Sequence, residues 1–476
     1  MSTNTKHQEV EKKTAIFEAL SNYDVPTIQR FQKRHKKPDL KNIPGGSGLP
    51  LIGHAIPLLR NLHAWMDKGY ASHGKIFRIN VFGIHDGVLL LGPEANKLVF
   101  QNEGKIFSNH LAYDTVLKNL FNNAVLARDF SDHKTLRKTL QAAFKREAIE
   151  GHIDIMNPII KKGLSSWQTG TPIKAMDHLK ELLLMTGAEV FLGVKTGPET
   201  EKINQAFVNI VDGTADPFRQ KAIWFSPYAK GVRGNKYLSA FILKEIPLRR
   251  LNPGRDLLSH FCHLTDDEGK GFSDEEICDQ ILFVLFAAHD TTTSALSAIL
   301  YALASNQAWQ QTLRQEILSL NKEDLAFDDA ETMQKTDWTF KEALRMFPAL
   351  SIFGRYTLEE FEFKGHTIPA NTPITISSVF THYMPEYWSN PHTFDPERFS
   401  PERAEDKKDF YQYLPFGGGA HKCLGMHFAK IQAKLFLFHL LKHYQVSKDP
   451  KMTEYKYNNI PLTFPTGGLP LTFSKI

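Results

Sequence analysis

The stretch SDEEICDQILFVLFAAHDTTTSALSAILYALASN, residues 273–306, restricts this chain more than any other. Ser273 followed three residues later by Glu276 is the pattern that satisfies unpaired N–H groups at a helix start. The run it opens is very long and nearly all apolar. A helix apolar on every side has to pass through the middle of a protein, so other helices must surround it. With 476 residues, 42% of them hydrophobic, the chain can supply such a core. Its length would allow about three domains. The absence of internal repeats and low-complexity linkers predicts instead a single domain over 1–476, with 1–40 as a polar lead.

Helical patterns dominate from about 130 to 350. Before them, IPGGSGLPLIGH (43–54) reads as irregular, and KIFRINVFGIHDGVLLLG (75–92) as a hairpin turning at GIHDG. After them come short strands within 361–377, a glycine-rich loop, and an amphipathic helix over MHFAKIQAKLFLFHLLKHY, starting near Leu424. The fold class expected is mainly α with small β-sheets. The N-terminus shows no apolar run of signal or anchor length, and nothing later reaches the roughly 18 uninterrupted apolar residues of a spanning segment, so no membrane span is expected. Cys262, Cys278 and Cys423 are odd in number and far apart, which indicates neither a disulfide framework nor a zinc site and suits a reducing, cytoplasmic setting. A net charge of +5 is too small to imply nucleic-acid binding. It leaves room for an acidic protein partner where lysines cluster.

Four constellations carry chemical interest. In AAHDTTT (287–293), Asp290 and Thr291 interrupt the apolar helix, and buried polar groups need partners or a task. Taken alone, Thr291 bonded back one turn and Asp290 beside a basic neighbour would account for them. KEALRMFP puts Glu342 and Arg345 on one helix face, and PERF adds Arg398; each alone would pass for a solvated pair. DHKTLRKTLQAAF (132–144) sets His133 and Arg137 one turn apart, able to clasp one anion or simply to face water. Finally, PFGGGAHKCLG (415–425) joins three glycines to Cys423. A dinucleotide loop would need glycine where Lys422 stands. A flat cofactor lying on the loop with Cys423 as its ligand meets no such obstacle, and a buried inert cysteine does not explain why the other elements precede it in this order.

Taken together, the elements resemble the cytochrome P450 family of haem-thiolate monooxygenases, of the soluble bacterial type. FGGGAHKCLG matches the family's F-x-x-G-x-x-x-C-x-G loop at Phe416, Gly419, Cys423 and Gly425, EALR its E-x-x-R, and AAHDTT its oxygen-binding A-G-x-D/E-T-T. The resemblance implies a triangular helical domain with a long central helix and a minor β region. It implies haem b (iron protoporphyrin IX) with Cys423 as the iron ligand, Thr291 and Asp290 in oxygen activation and proton relay, and His133, Arg137, Arg355 and His421 as propionate clasps. Glu342, Arg345 and Arg398 would form a buried structural triad. Two departures stand out. Ala288 replaces the usual glycine and is expected to narrow the oxygen groove, and His133 stands where tryptophan is often found.

The family's substrate walls would fall on Leu117, Phe121, Phe283, Phe286, Ala287, Ile352 and Phe353, nearly all apolar. The implied substrate is a lipophilic small molecule (sterol, terpenoid, retinoid or fatty-acid-like), with the aromatic stretch 216–231 as a roof. No flavin- or iron–sulfur-bearing segment is evident. Electrons would come from an acidic ferredoxin or flavodoxin, with its NAD(P)H reductase, docking near Lys134, Lys138, Lys422, Lys430 and Lys434 on a monomer. Two rivals, a partner-independent peroxygenase and a non-catalytic haem sensor, have no need of the Asp290–Thr291 pair.

Overall fold

A computed structural model describes residues 38–476 except 82–84, 103–104, 118–119, 122, 196, 215, 217–223 and 453–455. Most of the polar lead, the first part of the hairpin turn and residues 217–223 of the expected aromatic roof lie outside the described residues. The chain divides into two compact units. One comprises residues through Leu140 with Ile352–Thr381 and Gly417–Lys422; the other comprises Gln141–Ser351, His382–Phe416 and Cys423–Ile476.

The first unit is built on a five-stranded sheet. Its strands are β1 (Ile76–Val81), β2 (His85–Leu90), β3 (Phe107–Ser108), β4 (Ile352–Thr357) and β5 (Pro373–Ser377), in the order β1-β2-β5-β4-β3. β1 and β2 form the expected antiparallel hairpin, with Ile76 opposite Leu90 and Val81 opposite His85. Within GIHDG, His85, Asp86 and Gly87 already belong to β2. Gly87 serves a close approach, because a side chain there would run into the Pro373 carbonyl of neighbouring β5. β5 is buried along its whole length, as suits a central strand. β4 alternates, and its period of two turns Phe353 and Arg355 to the buried face. Two helices of this unit, α1 (Pro93–Gln101) and α2 (Phe130–Gln141), carry residues of the site.

The second unit is mainly helical. Of its helices, α3 (Arg146–Ser165), α4 (Ala175–Leu192), α5 (Pro198–Thr214), α6 (Asp274–Ser305), α7 (Gln334–Met346) and α8 (Met426–His443) bear on function. α6 is the long apolar helix expected from the sequence. The Ser273 hydroxyl accepts from the Glu276 N–H at 3.2 Å, the Glu276 carboxylate accepts from the Ser273 N–H at 3.0 Å, and three acids occupy the first turn, where the helix dipole favours negative charge. Among the described residues α6 is the one helix long and apolar enough to cross a membrane, but 72% of that apolar stretch is buried inside the protein. It is a core helix, packed by α4, α7 and α8.

The buried triad is present and larger than the sequence suggested. Arg345 makes a two-pronged contact with Glu342 at 2.7 and 2.9 Å, and Arg398 Nε reaches the same carboxylate at 3.0 Å, all three side chains being fully buried. Arg398 also meets Glu405 at 2.9 Å, which balances two cations with two carboxylates. Carbonyls of His382 and Ser389 take further guanidinium N–H groups at 2.8 Å each. Burial alone would raise the Glu405 carboxyl, but hydrogen bonds from Ser389 and Arg403 and the Arg398 charge outweigh it and hold the group at about 2.

Removing one partner strands a buried charge, so Glu342→Ala is expected to cost about 3–5 kcal/mol in denaturant unfolding of the protein. An unchanged midpoint would show that the network holds nothing. For Glu405 the folded value lies below the ordinary 4.5, so its contribution is present above about pH 4.5 and is lost as pH falls towards 2. Glu405→Gln should therefore flatten the acid limb of a stability–pH profile over that window.

Candidate active site

The cysteine loop begins in the second unit, where α7 grips it at three points. Phe340 stacks on Phe416 at 6.1 Å, the Tyr413 hydroxyl donates to the Lys341 carbonyl at 2.9 Å, and His382 links Arg345 to Leu414. In that link the Leu414 N–H donates to His382 Nε2 at 2.9 Å, so the ring hydrogen sits on Nδ1, which donates to the Arg345 carbonyl at 3.0 Å. Burial, then the Arg345 charge, lowers His382 to about 3, consistent with a neutral linking ring. The Cys423 N–H closes the loop onto the Phe416 carbonyl at 2.9 Å. Cys423 is the one exposed thiol; burial pushes Cys262 and Cys278 up to about 11, which makes them inert. α8 starts at Met426, where the amphipathic run itself begins.

The glycines answer to the first unit as well as to any cofactor. Gly419 has φ +63°, and a side chain there would collide with the Phe100 carbonyl oxygen of α1, while Gly418 lies against the Phe100 ring. Gly425, in contrast, has nothing within 4 Å of where a Cβ would stand.

Also within the first unit lie the four residues expected to clasp an anion. The His133 and His421 rings stack with centroids 3.8 Å apart. Arg355 is buried, donates to its neighbour's carbonyl at 2.7 Å, and makes no ion pair with a carboxylate among the described residues; Arg137 is half-buried one turn from His133. Burial and then the charges of Arg137, Arg355 and Arg128 lower His133 to about 4, and burial followed by His133 and the arginines lowers His421 well below its ordinary value. A desolvated guanidinium beside two such imidazoles fits a ligand that brings carboxylates. The sequence did not reveal how the clasp is held. Asp129, buried and thereby raised, accepts from Ser108 Oγ at 2.6 Å and the Asn109 N–H at 2.8 Å, and the Asn109 amide meets His421 Nδ1 at 3.2 Å.

In α6, the Thr291 hydroxyl donates to the Ala287 carbonyl at 2.7 Å, and Asp290 Oδ1 lies 2.9 Å from His289 Nδ1. At 100° per residue, Phe283, Phe286, Ala287, Asp290 and Thr291 share one face. Phe283 is buried, while Phe286, Ala287 and Thr291 are half-buried. Ala288 borders a cavity of ≈ 20 Å³ with residues of α4, α5 and α8. In the first unit Leu117, Phe121 and Phe353 are buried and Ile352 half-buried; Phe353 packs edge-on against Phe100 at 5.4 Å. Of the five lysines expected at a docking face, Lys134, Lys138 and Lys422 are exposed. Lys430 pairs with Glu331 at 3.2 Å, and Lys434 is no surface residue: it is 1% exposed, its ammonium given to the Ala330 carbonyl at 2.8 Å.

A haem-thiolate enzyme is the class that this fold and these residues define. The cytochrome P450 family model matches residues 43–471, and the chain belongs to that family. Cytochrome P450 136 of Mycobacterium tuberculosis is 30% identical over 442 residues, covering 91% of this chain and 88% of the relative. The taxane 10-beta-hydroxylase of Taxus cuspidata is 28% identical over 433 residues, covering 87% and 86%. A cyanobacterial family member solved with retinoic acid bound superposes with a TM-score of 0.82 at 25% identity, covering 91% of this chain and 99% of that structure. The protein is thus a monooxygenase-type enzyme acting on a lipophilic substrate, and family membership implies haem. Each unit offers a donor of the kind that group needs: the second an accessible thiol, the first a buried guanidinium that makes no ion pair with a carboxylate among the described residues.

Cys423→Ser should abolish the strongly red-shifted Soret band of the reduced, carbon monoxide-bound protein. Gly419→Ala should lower haem occupancy with little loss of helical circular dichroism, because the new methyl would displace the loop from Phe100. Full haem retention in Gly419→Ala would show that the loop tolerates the shift.

Proposed function

We propose that this enzyme hydroxylates a terpenoid-like lipophilic molecule in the cytoplasm, with electrons from an acidic ferredoxin or flavodoxin and its NAD(P)H reductase. One catalytic domain carries this activity, the family match running through both units. Cys423 would hold the iron of haem b, Phe416, Gly419 and Gly425 would shape the loop against it, and His133, Arg137, Arg355 and His421 would take the propionates. When bound, that group supplies dioxygen activation. The chain's own part follows from α6. Thr291, tethered to the Ala287 carbonyl, offers a hydroxyl with a fixed position, and Asp290 beside it can hold and release a proton. Carrying the reading is that this polar pair stands on the helix face shared with Phe283, Phe286 and Ala287, where an apolar molecule would lie.

Leu117, Phe121, Ile352 and Phe353 are the further apolar contacts assigned to substrate. The terpenoid class draws support from the relatives, since one bears the name of a taxane hydroxylase and another binds retinoic acid. Sterols and fatty acids are the other lipids to include in a panel.

Reconstitution with a ferredoxin and its reductase, followed by mass spectrometry of a terpenoid panel, tests the assignment; oxygenated product should appear only with NAD(P)H and O2. Thr291→Ala should keep consuming NAD(P)H while product per NAD(P)H falls sharply, and unchanged coupling would remove Thr291 from the chemistry. Reversing Lys134 and Lys138 to Glu should raise the KM for an acidic ferredoxin and weaken its dependence on ionic strength, with the substrate-induced spin shift unchanged.

A further inference from the structure

His289 has no role in the family motif as matched above, yet its side chain is closely held. The ring is buried and held at both nitrogens: Nε2 lies 3.1 Å from the Lys180 carbonyl oxygen of α4, and Nδ1 lies 2.9 Å from Asp290 Oδ1. Phe207 of α5 closes on it edge-on at 5.3 Å. Consecutive residues on a helix point about 100° apart and do not ordinarily meet. Here both side chains turn towards each other. Among the described residues Asp290 has no lysine or arginine within ion-pair reach, so His289 is its one basic partner.

The donor inventory then leaves little freedom. The Lys180 carbonyl only accepts, so Nε2 carries a hydrogen. A neutral ring with its hydrogen on Nε2 presents Nδ1 as an acceptor, and an ionised carboxylate is acceptor-only as well. Two bare acceptors 2.9 Å apart in a buried place are unfavourable, and a single added proton removes the conflict. We propose that His289 and Asp290 together hold one proton between Nδ1 and Oδ1, and that His289 is the positioning residue that keeps Asp290 loaded beside Thr291. The proposal rests on the reading of Asp290 and Thr291 given above. One proton leaves the pair towards Thr291 and one is taken up from water, so protons balance over a cycle and no electrons move. The ring borders the ≈ 20 Å³ cavity shared with Thr186, Asn204 and Gln432. That space is enough for about one water, from which the pair can be refilled.

Nitrogen-15 NMR of histidine-labelled holoenzyme, reduced and carbon monoxide-bound so that the iron is diamagnetic, reads the ring directly; the His289 signal is the one that His289→Gln removes. The expected spectrum has Nε2 protonated and Nδ1 sharing a slowly exchanging proton, and Asp290→Asn should convert the ring to a neutral Nε2–H form. An unprotonated Nε2, or a wild-type ring indistinguishable from that in Asp290→Asn, would overturn the proposal. In turnover, His289→Gln should raise peroxide released per product several-fold and enlarge the solvent isotope effect, with the Soret band and haem content retained. Wild-type coupling and isotope effect in His289→Gln would overturn it too, whatever the NMR. If Thr291→Ala alone leaves coupling unchanged, the underlying reading of Thr291 has failed instead, whereas the NMR result on the shared proton stands by itself.

Discussion

A single carboxylate, that of Glu342, organises the thiolate end of the second unit. It receives two guanidinium groups, both out of reach of water, and the Asp395 N–H. Ion pairs at such depth gain little net free energy over apolar packing of the same volume, because two charges must be stripped of water. What the network supplies is position. It locks α7 against the segment bearing Arg398 and Glu405. From α7, Phe340, Lys341 and, through His382, Arg345 each hold one residue of the run leading to Cys423. A cysteine on a glycine-rich loop has little rigidity of its own, so its placement has to be borrowed from a helix.

The sequence made legible what is local or strictly spaced. The capping box at Ser273 and Glu276, the i,i+3 pair Glu342–Arg345, and the one-turn spacing of His133 and Arg137 are each read within a few residues and recur in the structure. Less legible was anything whose reason lies far along the chain. His382, Tyr413 and Glu405 act through partners 32, 72 and 7 residues away, and no pattern in their own neighbourhoods marks them. The three glycines were visible but half explained, since Phe100, more than 300 residues earlier, is what forbids a side chain at Gly419. Lys434 shows the opposite failure. A lysine near the thiolate end reads as surface charge, but on the buried face of α8 it extends its stem through the core to an α-helical carbonyl.

Charge and helix geometry meet most closely in α6. The apolar middle of such a helix would ordinarily exclude ionisable groups, yet between Ala287 and Ser294 six polar residues follow one another, His289 to Ser294. There two threonines turn back onto the helix, Thr291 to the Ala287 carbonyl at 2.7 Å and Thr293 to the His289 carbonyl at 2.9 Å. Such bonds compete with the backbone ladder and tend to open the turn they touch. They also spend each hydroxyl's one hydrogen on the helix itself, leaving its lone pairs to face outward as acceptors. A hydroxyl so tethered accepts a hydrogen bond in a defined direction and can pass on a proton only by receiving another. That requirement is why a loaded neighbour is needed, and the acid one residue before Thr291, bound to its own histidine, is the group placed to meet it.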